Sequence, residues 1–156
     1  VENTDAEGRL ILADALAYAR KYEPKEVIDF ATLTGACMVA LGNERSGLFS
    51  TDERIADKLV KSSEAVGEQL WRMPLGEEYS EAIKTPVADV TNAGNGVGAG
   101  RYGGASTAAA FLQYFTDYPW AHIDMSCSYY TGKGKPWIRW GANGFGVQTM
   151  IEYLSL

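Results

Sequence analysis

An α/β layer fold, an open sheet covered by helices on both faces, is what this 156-residue sequence predicts, and three observations carry the prediction. Two short runs of branched and aromatic residues, Val27-Ile28-Asp29-Phe30-Ala31-Thr32-Leu33 and Trp120-Ala121-His122-Ile123-Asp124-Met125, read as buried strands. Each is followed by a turn of small residues. Helical periodicities fill the chain between and around them, which favours helices packed on a sheet. In such sheets ligands sit at the carboxyl ends of strands, so Thr32 to Gly35 and Ser126 to Tyr129 become candidate rim segments.

The elements follow in order. Leu12, Leu16 and Ala19 recur at three- and four-residue spacing among strong helix formers, which predicts a helix over 10–21. Arg20 and Lys21 suit its C-terminal dipole, and Glu23-Pro24 ends it. After the first strand, Gly47-Leu48-Phe49-Ser50 is a candidate for another. Ile55, Leu59 and Val66 share one face of a helix over 52–67. Trp71-Arg72-Met73-Pro74 leads into a short helical candidate over 77–84, stopped before Pro86. Ala108, Phe111, Leu112 and Phe115 mark a well-buried helix over 105–115, and a glycine-punctuated turn opens a closing helix over 147–154. There is no internal repeat or low-complexity tract, so the whole chain, 1–156, reads as part of one domain.

Composition narrows the function. With 46% hydrophobic and 22% charged residues the chain is well outside the disordered regime. Its net charge of −6 has the wrong sign for a phosphate backbone, so nucleic acid is not an expected partner. No apolar run approaches the ~20 residues that span a bilayer, so no membrane helix is expected. Cys37 and Cys127 form no spaced metal motif and read as buried thiols of a reducing compartment. Val1 is not a methionine and Val1-Glu2-Asn3-Thr4-Asp5 resembles no leader, so the expectation is that further chain precedes it.

Three chemical signals fall away on inspection. Gly98-Ala99-Gly100-Arg101-Tyr102-Gly103 satisfies a G-x-G-x-x-G pattern, but it extends a long Asn/Gly loop instead of following a strand, and Asp117 lies at the end of the following helix. A loop that moves, or lets a ligand approach its backbone, is the better reading. His122, the only histidine, has no Cys or second His beside it for a zinc site and reads as a hydrogen-bonded core residue. Ser106, Ser126 and Ser128 lack a nucleophile elbow.

The opening Asn3-Thr4-Asp5-Ala6-Glu7-Gly8-Arg9 is different. Two carboxylates two residues apart, a glycine and a guanidinium stand at the mouth of a helix. Acids there complement the helix dipole and Asp5 or Thr4 can cap it. The same residues offer hard oxygen ligands to a divalent metal, with an arginine to hold a small anion opposite. Local chemistry leaves both readings open.

Asn3-Thr4-Asp5-Ala6-Glu7-Gly8-Arg9-Leu10 resembles the signature octapeptide of the leucyl (cytosol) aminopeptidases, two-metal exopeptidases. The likeness continues through Ile11-Leu12-Ala13-Asp14-Ala15-Leu16, Ala31-Thr32-Leu33-Thr34-Gly35-Ala36, Trp71-Arg72-Met73-Pro74-Leu75, Ala88-Asp89-Val90, Trp120-Ala121-His122-Ile123-Asp124 and Gly144-Phe145-Gly146-Val147. It implies a three-layer α/β/α sandwich around a mixed sheet, of which this chain is the C-terminal part with the first strands missing. It further implies that Asp5 ligates one zinc or manganese ion, that Glu7 bridges two, and that Arg9 holds a bicarbonate acting as general base. Thr32, Leu33 and Gly35 match the segment that lines the first side-chain pocket, and Ser126 and Tyr129 match positions on the other strand end. The substrates implied are peptides with a free N-terminus, the assembly a homo-hexamer, the compartment the cytoplasm.

Two departures qualify the likeness. Relatives commonly carry Ile-Ala-Gly after the His-x-Asp, where this chain has Met125-Ser126-Cys127, which implies an altered pocket. The family's other metal ligands and its catalytic lysine lie before the octapeptide. The expectation is therefore an active site completed by an upstream segment, with this chain inactive and unstable or associated by itself; the alternative is an inactive scaffold module that keeps the family's oligomer contacts.

Overall fold

A computed structural model of the chain describes residues 1–94, 102–128 and 141–156. Its order of elements is a 3-10 turn (Thr4–Ala6), α1 (Glu7–Ala19) running into a second 3-10 turn (Arg20–Tyr22), β1 (Val27–Ala31), α2 (Gly35–Leu41), β2 (Ser46–Ser50), α3 (Glu53–Val66), β3 (Leu70–Arg72), α4 (Glu77–Glu81), α5 (Gly104–Gln113), β4 (Trp120–Asp124), a 3-10 turn (Met125–Ser128) and α6 (Val147–Ser155).

Among the described residues the strands form one mixed sheet in the order β1-β4-β2-β3. β1 runs parallel to β4 with Asp29 opposite His122 and Ala31 opposite Asp124. β2 runs antiparallel to β4, and β3 parallel to β2. Strand alternation then sorts the core into two halves. Phe49 and Trp120 face α1, α2 and α5, where they pack with Ala13, Leu16, Cys37, Ala109 and Leu112. Leu48, Ala121 and Ile123 face α3 and α6, packing with Ile55, Leu59 and Tyr153. The result is the α/β/α layering expected.

The alternation also explains His122. It lies on the face of Trp120, fully buried and stacked between Trp120 and Phe49 at centroid distances of 6.2 and 6.0 Å. Its Nδ1 is 2.6 Å from Asp29 Oδ1, while Trp120 Nε1 donates to Asp29 Oδ2 at 2.7 Å. This is the hydrogen-bonded core histidine that the sequence indicated.

Three elements differ from expectation. The first strand stops at Ala31, because Leu33 and Thr34 turn to meet Asp124 and a seven-residue helix, α2, begins at Gly35. Trp71-Arg72 belongs to a three-residue strand paired with β2 instead of a connector. The short helix before Pro86 ends at Glu81. The Gly98–Arg101 part of the glycine motif lies outside the described residues.

Candidate active site

The octapeptide folds as a 3-10 turn leading into α1, and the cap is Asn3 in place of the expected Asp5 or Thr4: its side chain accepts from the amide of Asp5 at 2.9 Å, while α1 itself starts after Ala6 with no side-chain cap. The segment is then clasped from a distance by Asn92, itself buried. Asn92 Oδ1 accepts from the amides of Glu2 (2.9 Å) and Asn3 (3.3 Å), and its Nδ2 donates to the carbonyls of Asn3 (2.7 Å) and Ala6 (3.4 Å). Asp5 and Glu7 are left exposed at the start of α1.

Arg9 points inward. Its guanidinium donates to the carbonyl of Asn92 at 2.6 Å, and its buried Nε has no partner among the described residues. Burial pulls its pKa below the ordinary arginine value, and the negative charge of Asp124 pulls the other way. A half-buried guanidinium with an unsatisfied N–H is a receptor for an anion.

The segment that follows the carboxyl end of β1 supplies the opposite wall. Leu33, Thr34, Gly35 and Ala36 join Asn3, Asp5, Ala6 and Arg9 around a cavity of about 190 Å³, closed by Ala93, Gly94, Gly104 and Thr107. Two glycines make the closure possible. A β-carbon at Gly94 would lie 2.9 Å from Thr107 Cγ2, and one at Gly104 3.2 Å from the Ala36 β-carbon. A larger cavity of about 610 Å³ sits at the other end of the sheet beside Thr51 and Pro119 and contains none of these residues.

The sequence-derived residues therefore divide. Asp5, Arg9, Leu33 and Gly35 meet at one cavity. Glu7 and Thr32 are exposed and outside its lining. Ser126 is buried below the rim, with its hydroxyl 2.6 Å from the Thr34 carbonyl and 2.7 Å from Asp124 Oδ1. Tyr129 lies outside the described residues. Sequence reasoning gave no individual role to Asn92, Thr34 or Asp124. The signals were Asn92 at the start of the glycine loop, Thr34 inside a candidate rim segment and Asp124 as an acid inside a core strand.

The donor chemistry of Asp5 and Glu7, two hard carboxylates, fits a divalent cation in part. Among the described residues no three His, Cys, Asp or Glu side chains gather to hold a metal ion, so these two supply a fraction of a donor set. Nor, among those residues, is any helix long and apolar enough to cross a membrane.

Comparison with known proteins shows the family. The sequence profile of the cytosol aminopeptidase family, catalytic domain, matches residues 1–151. A probable cytosol aminopeptidase of Chlorobium limicola is 53% identical over 158 residues, and one of Geobacter sp. 48% identical over 155; each match covers 99% of this chain and 30% of the relative. Among solved structures, a mutant of tomato leucine aminopeptidase superposes with a TM-score of 0.88 at 45% identity, covering 99% of this chain and 29% of that one. The bottromycin maturation enzyme BotP gives 0.88 at 38% identity, covering 97% and 33%. The chain thus spans about 30% of the length of the relatives it matches, nearly all of it within the family's catalytic domain. By profile, identity and fold, the chain belongs to the cytosol aminopeptidase family.

Proposed function

We propose that this chain carries one wall of the active site of a metal-dependent aminopeptidase that removes N-terminal residues from peptides. The observation that supports it best is the convergence of Asp5 and Arg9 on the same cavity as Leu33 and Gly35. In this reading Asp5 and Glu7 would help to hold two divalent ions, zinc or manganese, with the remaining ligands contributed by an upstream portion of the protein. Two bound ions polarise a carbonyl and bring the pKa of a bound water to about 7.

The chain's own groups bind and orient. Arg9 would hold a small anion, bicarbonate, which would supply a general base. Its position is fixed by Asn92, which grips both the guanidinium and the segment carrying Asp5. Thr32, Leu33 and Gly35 meet the peptide. The Leu33 amide is already committed to Asp124, which leaves its carbonyl, with the backbone of Gly35, as the groups that receive substrate. Ser126 and Tyr129 belong to the pocket's far side, Ser126 from beneath it. A cytoplasmic homo-hexamer follows from the same resemblance.

One observation favours a second reading, an inactive scaffold module: the described residues supply only two carboxylates at this place. Metal stoichiometry and hydrolysis of an N-terminally unblocked peptide separate the two. The intact protein is expected to hold about two metal ions per chain, to lose activity to a chelator and to regain it with zinc or manganese. Arg9→Ala should then lower turnover while leaving the metal content in place. Near-zero metal in the intact protein would overturn the aminopeptidase reading in favour of the scaffold.

A further inference from the structure

Asp124 is a fully buried carboxylate at the carboxyl end of the central strand β4. A buried carboxylate is tolerated only when its oxygens are occupied by donors. Here every donor comes from the two rim segments. Oδ1 accepts from the Leu33 amide (3.1 Å) and the Ser126 amide (3.2 Å) and faces the Ser126 hydroxyl (2.7 Å). Oδ2 accepts from the Thr34 hydroxyl at 2.6 Å. That hydroxyl also accepts from the Cys37 amide at 3.0 Å, so one oxygen both grips the carboxylate and caps α2. Ser126 closes the ring through the Thr34 carbonyl at 2.6 Å.

We propose that Asp124 is a positioning residue for substrate binding, acting through Thr34 and the Leu33 amide to hold the β1–α2 turn in the shape that presents Leu33 and Gly35 to the Arg9 cavity. Asp124 does not itself line that cavity. Any displacement of the turn strips donors from a buried negative charge, and charge-assisted bonds of this kind are the strong ones. The turn is therefore fixed before a peptide arrives, and binding need not order it. The chain's departure at Ser126 fits this arrangement, since an alanine there would remove the hydroxyl that ties Asp124 to the Thr34 carbonyl. What the turn binds rests on the aminopeptidase reading; that it is clamped does not.

The test uses the intact protein with Thr34→Ser, Thr34→Val and Asp124→Asn variants. Thr34→Val should raise KM for an unblocked peptide about tenfold, with kcat within about threefold and metal content unchanged, and Thr34→Ser should restore the wild-type KM. An unchanged KM in Thr34→Val, a Thr34→Ser as impaired as Thr34→Val, or a parallel loss of kcat and metal would each overturn the proposal. Amide hydrogen exchange at Leu33 reads the clamp independently of activity. Protection in the wild type, with exchange at least about tenfold faster in Asp124→Asn, supports it, and an unprotected Leu33 amide in the wild type overturns it. A wild-type protein with a protected Leu33 but no hydrolysis would sink the aminopeptidase reading and leave the clamp standing.

Discussion

At Gly47 the strand β2 has no room for a side chain. A β-carbon there would lie 2.8 Å from Cys37 Sγ and 3.4 Å from both Met73 Cγ and Phe49 Cε2. Gly47→Ala is therefore expected to destabilise the fold by about 1–3 kcal/mol in urea unfolding, the range for overpacking a filled core. Removing the sulfur with Cys37→Ala should recover part of that loss in the double variant, and strict additivity would show that the strain lies elsewhere. Neither contact is legible in the sequence, because Gly47 and Cys37 look like an ordinary strand glycine and a lone thiol. The same holds for Asp124, two of whose donor residues stand 90 residues away at Thr34 and 91 at Leu33. Asp5 and Arg9 are visible as candidates in advance because they fall within seven consecutive residues, whose spacing alone leaves capping and metal binding both open.

Among the elements, α3 was the most legible. Its buried stripe of Ile55, Ala56 and Leu59 recurs at helical spacing, Asp52 caps it by accepting from the Ile55 amide at 3.0 Å, and Gly67 ends it at a φ of +78°. Asp52→Ala should cost about 1 kcal/mol, Asp52→Asn a few tenths, measured by the shift in the urea midpoint. A cap worth less than Asn's loss would place the helix start under tertiary control. That second situation is realised at α6, which has no cap of its own. Its first turn is held by Glu68, whose Oε2 accepts from the Gly146 amide (3.1 Å), the Thr149 amide (3.0 Å) and the Thr149 hydroxyl (2.7 Å). No local pattern foretells a cap delivered from another helix's end. β3 and α2 escaped for a simpler reason: three residues carry no period, and Gly35-Ala36-Cys37 lacks the contrast between faces that marks a helix.

For the whole molecule, burial of ionisable groups sets the response to alkali. Burial pushes the Cys37 thiol far above its ordinary 9.0, with the Asp124 charge adding to the shift, and burial raises the Cys127 thiol as well. Tyr118 and Tyr153 are raised above 10.0 for the same leading reason. Each group binds its proton more tightly folded than unfolded. Their contribution is complete below the unfolded values and declines as pH rises past about 9. The urea midpoint should thus fall between pH 8 and pH 10.5, and iodoacetamide should label both cysteines only after unfolding. A flat profile would mean that the thiols are reached by water. The layer architecture behind this burial was readable from helix and strand periods, whereas the strand order β1-β4-β2-β3 was not, since pairing partners leave no local mark.

That strand order has a temporal side. β1 is separated from its partner β4 by four helices and two strands, so the octapeptide and β1 exist as chain long before the strand that fixes their neighbours. Closing a loop of that length delays the reward of the contacts it makes possible. The rim that gathers Leu33, Thr34, Asp124 and Ser126 is consequently among the last parts of the domain to form. A nascent chain can present Asp5, Glu7 and Arg9 to solvent while having no cavity to put them in, so the chemistry arrives only with the completed fold.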